Sequence, residues 1–144
     1  MITIYNSTFE TSLRLLCLLY SVNCNLNVDQ IMLMDFIASY GKTYRIYYKN
    51  LTGENPIVIS ELPARRVRIQ RALKQMVQSG YAIPDPNDIA LYRISNKGKQ
   101  YVQALKSNYA RAYITAANNA YNAYGGYENT ELLMLVCSNN GGAT

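Results

Sequence analysis

Two stretches near the beginning of this 144-residue chain are apolar on nearly every side of a helix. The first covers residues 9–22. The second can be capped by Asn27 or Asp29 and runs to about Tyr40. A helix without a polar face has to be buried by other elements. Because the length suits one domain of ordinary size, we expect a mainly helical protein built around a single core.

Asp35 is the one charge in the middle of the second helix. A carboxylate among apolar side chains is costly unless a cation pairs with it. We therefore predict a structural ion pair rather than a catalytic acid, with the guanidinium of Arg65 or Arg66 as the partner.

A third helix is predicted from Ser60, its expected N-cap, to Gly80, with one apolar and one polar face. Two short extended runs follow around a Pro/Asp/Asn-rich turn and predict a hairpin over residues 81–94. Ser95 is expected to cap a fourth helix. Residues 42–59 are expected to connect the second and third helices and to contain one short strand.

A helix with a basic face, a hairpin and another helix follow one another in this order in winged helix-turn-helix proteins. The predicted fold class is therefore mainly α, a winged helix-turn-helix with a two-stranded wing over residues 1–107. A helical extension is expected over residues 108–144, where Tyr and Ala recur at helical spacing before an apolar run. It can pack on the same domain or on a partner. Its candidate protein-interface residues are Tyr109, Tyr113, Tyr124, Leu132, Leu133 and Leu135.

The composition argues against catalysis. The chain has no histidine, the commonest general base and metal ligand. Its three cysteines, Cys17, Cys24 and Cys137, have no paired spacing, and three scattered thiols cannot form a four-ligand zinc site, so we expect reduced thiols in a cytoplasmic protein. No Walker or dinucleotide-binding glycine motif occurs, and residues 13–20 are too few to span a bilayer. We expect no catalytic residues, metal, cofactor, small-molecule substrate or membrane contact, and an enzyme with an unfamiliar site is the least favoured alternative.

The positive charge is concentrated on the third helix. The net charge is +5, and residues 65–74 hold five cations and no acid. In winged-helix proteins this helix enters the major groove, and Gln side chains can hydrogen-bond adenine. An acidic protein surface fits the same face, because guanidinium groups pair with carboxylates as well as with phosphates. The candidate DNA contacts are Arg68, Arg71, Lys74, Gln75, Gln78 and, near the wing, Arg93, Lys97 and Lys99.

A succession of short motifs between residues 5 and 105 resembles a known family. In chain order they are Phe9-Glu10-x-x-Leu13-Arg14-Leu15-Leu16, Val28-Asp29-x-Ile31, Leu33-x-Asp35-Phe36 with Tyr40, Asn50-Leu51-x-Gly53, Glu61-x-x-Ala64-Arg65-Arg66 and Ala72-Leu73-Lys74-x-Met76-Val77-x-x-Gly80. This succession resembles the middle components of bacterial ABC-three-component systems, the Lamassu-type anti-phage defence operons. The extension after Asn108 lies outside these motifs.

The resemblance implies a small accessory subunit that binds an SMC-like ABC ATPase, with an effector, often a nuclease, as the third protein. ATP hydrolysis and nuclease chemistry would then belong to the partners. By analogy with winged-helix subunits of other SMC complexes, the module would dock at the ATPase heads or neck and contact double-stranded DNA through its basic helix. The alternative is a stand-alone winged-helix transcription regulator that dimerises through the Tyr/Ala helix and binds a palindromic operator.

Overall fold

The computed structural model describes residues 8–52 and 59–138 of the chain. Six α-helices and three short strands lie within them, and a 3₁₀ turn at Ile59–Glu61 precedes the third helix. In chain order the elements are α1 (Thr8–Val22), β1 (Leu26–Asn27), α2 (Val28–Ser39), α3 (Leu62–Gln78), β2 (Ala82–Pro84), β3 (Leu91–Ile94), α4 (Asn96–Ala104), α5 (Asn108–Tyr124) and α6 (Asn129–Ser138). The expectation of a mainly helical protein is confirmed.

The core forms around α1 and α2, the two helices whose sequences lack a polar face. All residues from Ile31 to Ser39 are buried in α2. Helices α3 and α5 each pack against both α1 and α2, and α6 packs against α2. The Tyr/Ala-rich helix α5 therefore lies on this chain's own core. Its buried face consists of Ala110, Tyr113, Ala116, Ala117 and Ala120.

Side-chain caps begin α2, α4 and α5, whereas α3 begins without one. Asn27 begins α2 with a full capping box, in which its Oδ1 accepts from the Gln30 N–H at 2.8 Å and the Gln30 Oε1 accepts from the Asn27 N–H at 2.9 Å. Ser95 caps α4, because its Oγ accepts from the Gly98 N–H at 3.0 Å. The prediction that Ser60 caps α3 is wrong. Ser60 lies in the 3₁₀ turn, and Glu61 occupies the N-cap without a side-chain hydrogen bond.

The predicted hairpin is present as antiparallel β2 and β3, with Ala82 opposite Ile94. The two-residue strand β1 pairs with the other edge of β3, which gives the sheet order β1-β3-β2. The sequence missed β1, because two residues have no detectable periodicity. The strand expected between residues 42 and 59 is absent from residues 42–52, which form turns, and residues 53–58 lie outside the described part. None of the described helices is both long and apolar enough to cross a bilayer.

Candidate functional site

The outer face of α3 is a row of cations and amides. The helix turns Ile69, Leu73 and Met76 into the core. At 100° per residue, the opposite side faces solvent. The exposed side chains predicted as DNA contacts on this side are Arg71, Lys74, Gln75 and Gln78, and we call them the basic face.

Arg68 lies at the edge of the basic face and is half-buried. Burial lowers the pKa of its guanidinium, and the neighbouring charges of Arg65 and Arg14 lower it further. The group remains protonated at neutral pH. Because part of the side chain is covered, Arg68 offers less of its guanidinium to a ligand than Arg71 does.

The three cations predicted near the wing differ in their surroundings. Arg93 is exposed on β3, opposite Ile83 of β2. Lys97 is exposed, but its Nζ donates to the Ser79 carbonyl at 2.8 Å and lies 4.6 Å from the centre of the Tyr81 ring. Lys97 therefore joins α4 to the C-terminal end of α3, where a cation also favours the helix dipole. Lys99 is half-buried.

Asp35 is the centre of a buried polar cluster. Its Oδ2 accepts from Arg65 Nη2 at 2.9 Å, and its Oδ1 accepts from Arg14 Nε at 3.2 Å and from the Tyr113 hydroxyl at 2.6 Å. Burial alone would raise the Asp35 pKa, but the two guanidinium groups and the hydrogen bonds hold it below its usual range. Arg66, the other candidate partner, instead pairs with Asp29 at 2.8 Å, where both side chains are half exposed.

The sequence predicted either Arg65 or Arg66 as the partner of Asp35, of which Arg65 is confirmed, but it missed Arg14 and Tyr113. Arg14 could have been predicted as well, because it interrupts the apolar run of α1. A buried guanidinium needs an anionic partner, just as the buried Asp35 carboxylate needs a cation. The sequence predicts Tyr113 at a protein interface, and this prediction is wrong. Tyr113 is instead fully buried at the Asp35 carboxylate, and burial raises the pKa of its hydroxyl.

The other candidate interface residues are spread between the core and the surface. Leu132 is buried, like Tyr113, so neither side chain can reach a partner in this conformation. Tyr109, Tyr124 and Leu135 are half-buried, and the Tyr124 hydroxyl donates to the Tyr44 carbonyl at 3.2 Å. Leu133 is exposed on α6. The interface prediction is wrong for both Tyr113 and Leu132 for the same reason. Helices α5 and α6 direct these two side chains into the core.

An apolar groove of about 270 Å³ lies beside the basic face, between α1, α3 and α4. Phe9, which is 69% exposed, forms one side. Tyr81 and Tyr101 form another, with their rings 5.5 Å apart and edge to face. Gln75 belongs to both the groove and the basic face. Exposed apolar surface of this kind is typical of protein contacts. The sequence missed it, because Phe9 was placed in a helix expected to be buried.

The described residues contain no group of three or more His, Cys, Asp or Glu side chains that could hold a metal ion. Burial, followed by the nearby Glu10, raises the pKa of the Cys17 thiol to about 12. A thiol with such a pKa is protonated at neutral pH, and only the thiolate is a good nucleophile. Cys17 is buried in the hydrophobic core.

The fold and its surface define a mainly helical protein with a basic helix face, a small antiparallel sheet and an adjoining apolar groove. The family model for Middle Component 2 of ABC-three component (ABC-3C) systems matches residues 4–142, and the chain belongs to this family. It is therefore a component of an ABC-3C system, as the motifs implied. The match includes the extension after Asn108, which the motifs did not cover. No curated protein and no solved structure matches the chain.

Proposed function

We propose that this protein is a non-catalytic winged-helix subunit of a bacterial, Lamassu-type anti-phage defence complex. In this proposal it binds an SMC-like ABC ATPase and contacts double-stranded DNA through α3 and the β2–β3 hairpin. A third component, often a nuclease in such systems, would supply the effector chemistry. Family membership supports the defence role, and the element order α1-β1-α2-α3-β2-β3 supports the winged helix.

The basic face carries the DNA part of the proposal. Arg71 and Lys74 point away from the core on the helix that precedes the hairpin, and winged helices insert this helix into the major groove. Arginine can bind guanine edges and glutamine can bind adenine edges, so Gln75 and Gln78 suit the same location. Arg93 on β3 would add a phosphate contact that positions the duplex without reading its sequence.

The buried chemistry supports a non-catalytic role. The carboxylate with the most perturbed surroundings, Asp35, lies beneath the surface and is bound by Arg14, Arg65 and Tyr113. A catalytic acid or base has to reach its substrate. We therefore assign Asp35 to the fold, and we assign ATP hydrolysis and effector chemistry to the partner proteins.

Duplex binding tests the role of the basic face. In fluorescence anisotropy with a 20-base-pair duplex, we expect the isolated protein to bind weakly and without sequence preference. Arg71→Glu/Lys74→Glu should weaken binding at least tenfold and reduce the salt slope by about 2, since each phosphate contact contributes about 0.9. The control Lys106→Glu/Arg111→Glu makes the same charge change at two other exposed positions, one between α4 and α5 and one in the first turn of α5. Equal losses of duplex affinity in the two double variants would contradict the DNA-binding role assigned to α3.

The apolar groove is our proposed contact for the ATPase. Phe9→Asp should abolish co-purification with the ATPase component of the ABC-3C system to which this protein belongs. Met134→Asp on α6 is the matched control, because Met134 is 66% exposed and Phe9 is 69% exposed. If Phe9→Asp still forms the complex, or if both variants lose it equally, the groove is not the contact.

The stand-alone regulator would bind a selected operator tightly and sequence-specifically without any partner. It was expected to dimerise through the Tyr/Ala helix, but the Tyr113 and Ala116 face of α5 is buried against this chain's own helices. This burial and the family membership both favour a subunit of a defence complex over a stand-alone regulator. Nanomolar binding of the isolated protein to a selected palindrome, with little binding to random duplex, would reverse that choice.

A further inference from the structure

The loop after α2, residues 41–51, is positively charged. We call it the tyrosine loop. It holds three exposed cations, Lys42, Arg45 and Lys49, and no acidic residue. The ion pairs found among the described residues involve none of these three. Within the described part of the chain no carboxylate pairs with these cations, so an anionic ligand can bind them.

The same loop exposes an aromatic ring. Tyr48 is 72% exposed. The Tyr47 ring lies 4.6 Å from it, and Lys49 Nζ lies 5.6 Å from its centre. Proteins that bind single-stranded nucleic acid combine cations along the phosphate backbone with aromatic rings on which bases stack.

The loop is held in shape by its own side chains. Asn50 Oδ1 accepts from the N–H groups of Lys42 and Thr43 at 2.9 and 3.2 Å, and so closes the loop. A Cβ atom on Gly41 would lie 2.6 Å from the Cβ of Tyr47, so this close approach requires glycine. Arg45 adopts a left-handed φ of 62°, a conformation that is rare for residues other than glycine. Such residues cluster at functional sites, because the surrounding structure has to hold them.

Helices α5 and α6 fix the tyrosine loop through two hydrogen bonds. The Tyr44 hydroxyl donates to the Val136 carbonyl at 3.2 Å, and Asn119 Nδ2 donates to the Ile46 carbonyl at 2.9 Å. Tyr44 is buried, in contrast to Tyr48. Because the backbone is already fixed, a ligand does not have to order it, and preorganisation of this kind favours binding.

We infer that the tyrosine loop is a binding site for single-stranded nucleic acid, with a base stacked on Tyr48 and phosphates bound by Lys42, Arg45 and Lys49. A duplex is a poorer fit, since its bases are stacked inside and cannot meet the ring. An acidic protein would use the cations but would leave the exposed ring without a role. This inference concerns a different surface and a different ligand from those of α3, and it does not depend on the proposed function.

Binding of fluorescein-labelled dT20 and rU20 by the full chain tests the inference, and saturable binding of either strand is expected. Tyr48→Ala should weaken binding about tenfold, in the range measured for loss of one stacked base. Tyr48→Phe keeps the ring and should stay within about twofold of the unaltered protein. Because Tyr48 is exposed, both variants should fold, and their thermal melts check this.

A matched charge comparison separates this site from the basic face. Lys42→Gln/Lys49→Gln should reduce dT20 affinity and its salt slope, whereas Arg71→Gln/Lys74→Gln should leave dT20 binding within about twofold. Tyr48→Ala should leave duplex binding unchanged, so failure of one site is distinguishable from failure of the other. The inference is overturned if neither strand binds, if Tyr48→Ala binds like the unaltered protein, or if a 20-residue poly-glutamate peptide binds as tightly as dT20.

Discussion

The hydroxyl of Tyr113 donates a 2.6 Å hydrogen bond to Oδ1 of Asp35, and this contact joins α5 to α2. The same carboxylate receives Arg14 from α1 and Arg65 from α3. Four helices therefore meet at one buried charge. Networks of this kind stabilise a particular arrangement of helices, because each partner left unsatisfied in the interior is costly.

Tyr113→Phe removes the hydroxyl and keeps the ring. We expect it to lower the free energy of unfolding by about 1.5–3 kcal/mol, the usual range for a hydrogen bond to a charged group. Urea denaturation at pH 7 measures this. Tyr101→Phe removes a hydroxyl from a partly exposed ring and should change stability by less than about 0.5 kcal/mol. Equal stability of both variants would show that the Tyr113–Asp35 contact contributes nothing.

The Asp35 cluster also predicts acid sensitivity. Burial opposes ionisation of Asp35, but Arg14, Arg65 and the hydrogen bonds outweigh it and lower the pKa in the folded protein. A lowered folded pKa gives stability that is fully present above the unfolded value of about 3.9 and is lost as the pH falls below it. The urea midpoint should therefore be flat from pH 7 to about 5 and should fall steeply toward pH 3.

A surface ion pair provides the control for this pH dependence. Asp29 pairs with Arg66, and both side chains are about two-fifths exposed. Such pairs contribute about 0–1 kcal/mol. Asp29→Asn should therefore keep nearly the whole fall in midpoint below pH 5. A midpoint that stays constant down to pH 3, or a fall that Asp29→Asn abolishes, would contradict the role of Asp35.

The sequence predicted those parts of the fold that depend on residues close together in the chain. Long apolar runs located α1 and α2, hydrophobic periodicity located α3, and local capping chemistry located Asn27 and Ser95. The cost of burying a charge also led to Arg65 as a partner for Asp35. Periodicity did not predict β1, which exists only because β3 lies beside it. Nor could it indicate that Tyr113 faces a carboxylate 78 positions earlier in the chain, since that depends on how α5 packs.

The two predicted cap serines allow a direct comparison. Ser95 accepts from the Gly98 N–H and donates to the Gly80 carbonyl at 2.6 Å. Ser95→Ala should therefore cost about 1–2 kcal/mol of unfolding free energy. Ser60→Ala should change it by less than about 0.5 kcal/mol, because Ser60 is exposed and does not cap α3. Thermal and urea melts of the two variants measure the difference. A larger loss in Ser60→Ala would mean that α3 begins at Ser60 after all.

Gly98 makes the junction between the hairpin and α4 possible. A Cβ atom there would lie 2.5 Å from the Tyr81 carbonyl oxygen and 2.7 Å from Ile94 Cγ1. The carbonyl belongs to the backbone and cannot move aside without disturbing the 3.0 Å hydrogen bond that it accepts from the Ser95 N–H, next to the paired strands β2 and β3. Gly98→Ala should therefore destabilise the protein by about 1–3 kcal/mol, the usual cost of overpacking.

Gly126→Ala is the matched control, because nothing lies within 4 Å of a Cβ atom at that position. It should be neutral or stabilising by up to about 1 kcal/mol, since alanine restricts the unfolded chain. Because Gly98 sets how closely α4 approaches β3, Gly98→Ala should also weaken duplex binding if the hairpin and α3 act together on DNA. A stable Gly98→Ala variant with unaltered duplex affinity would indicate that the hairpin does not contact DNA. Helix α3 would then be the sole candidate for the DNA contact.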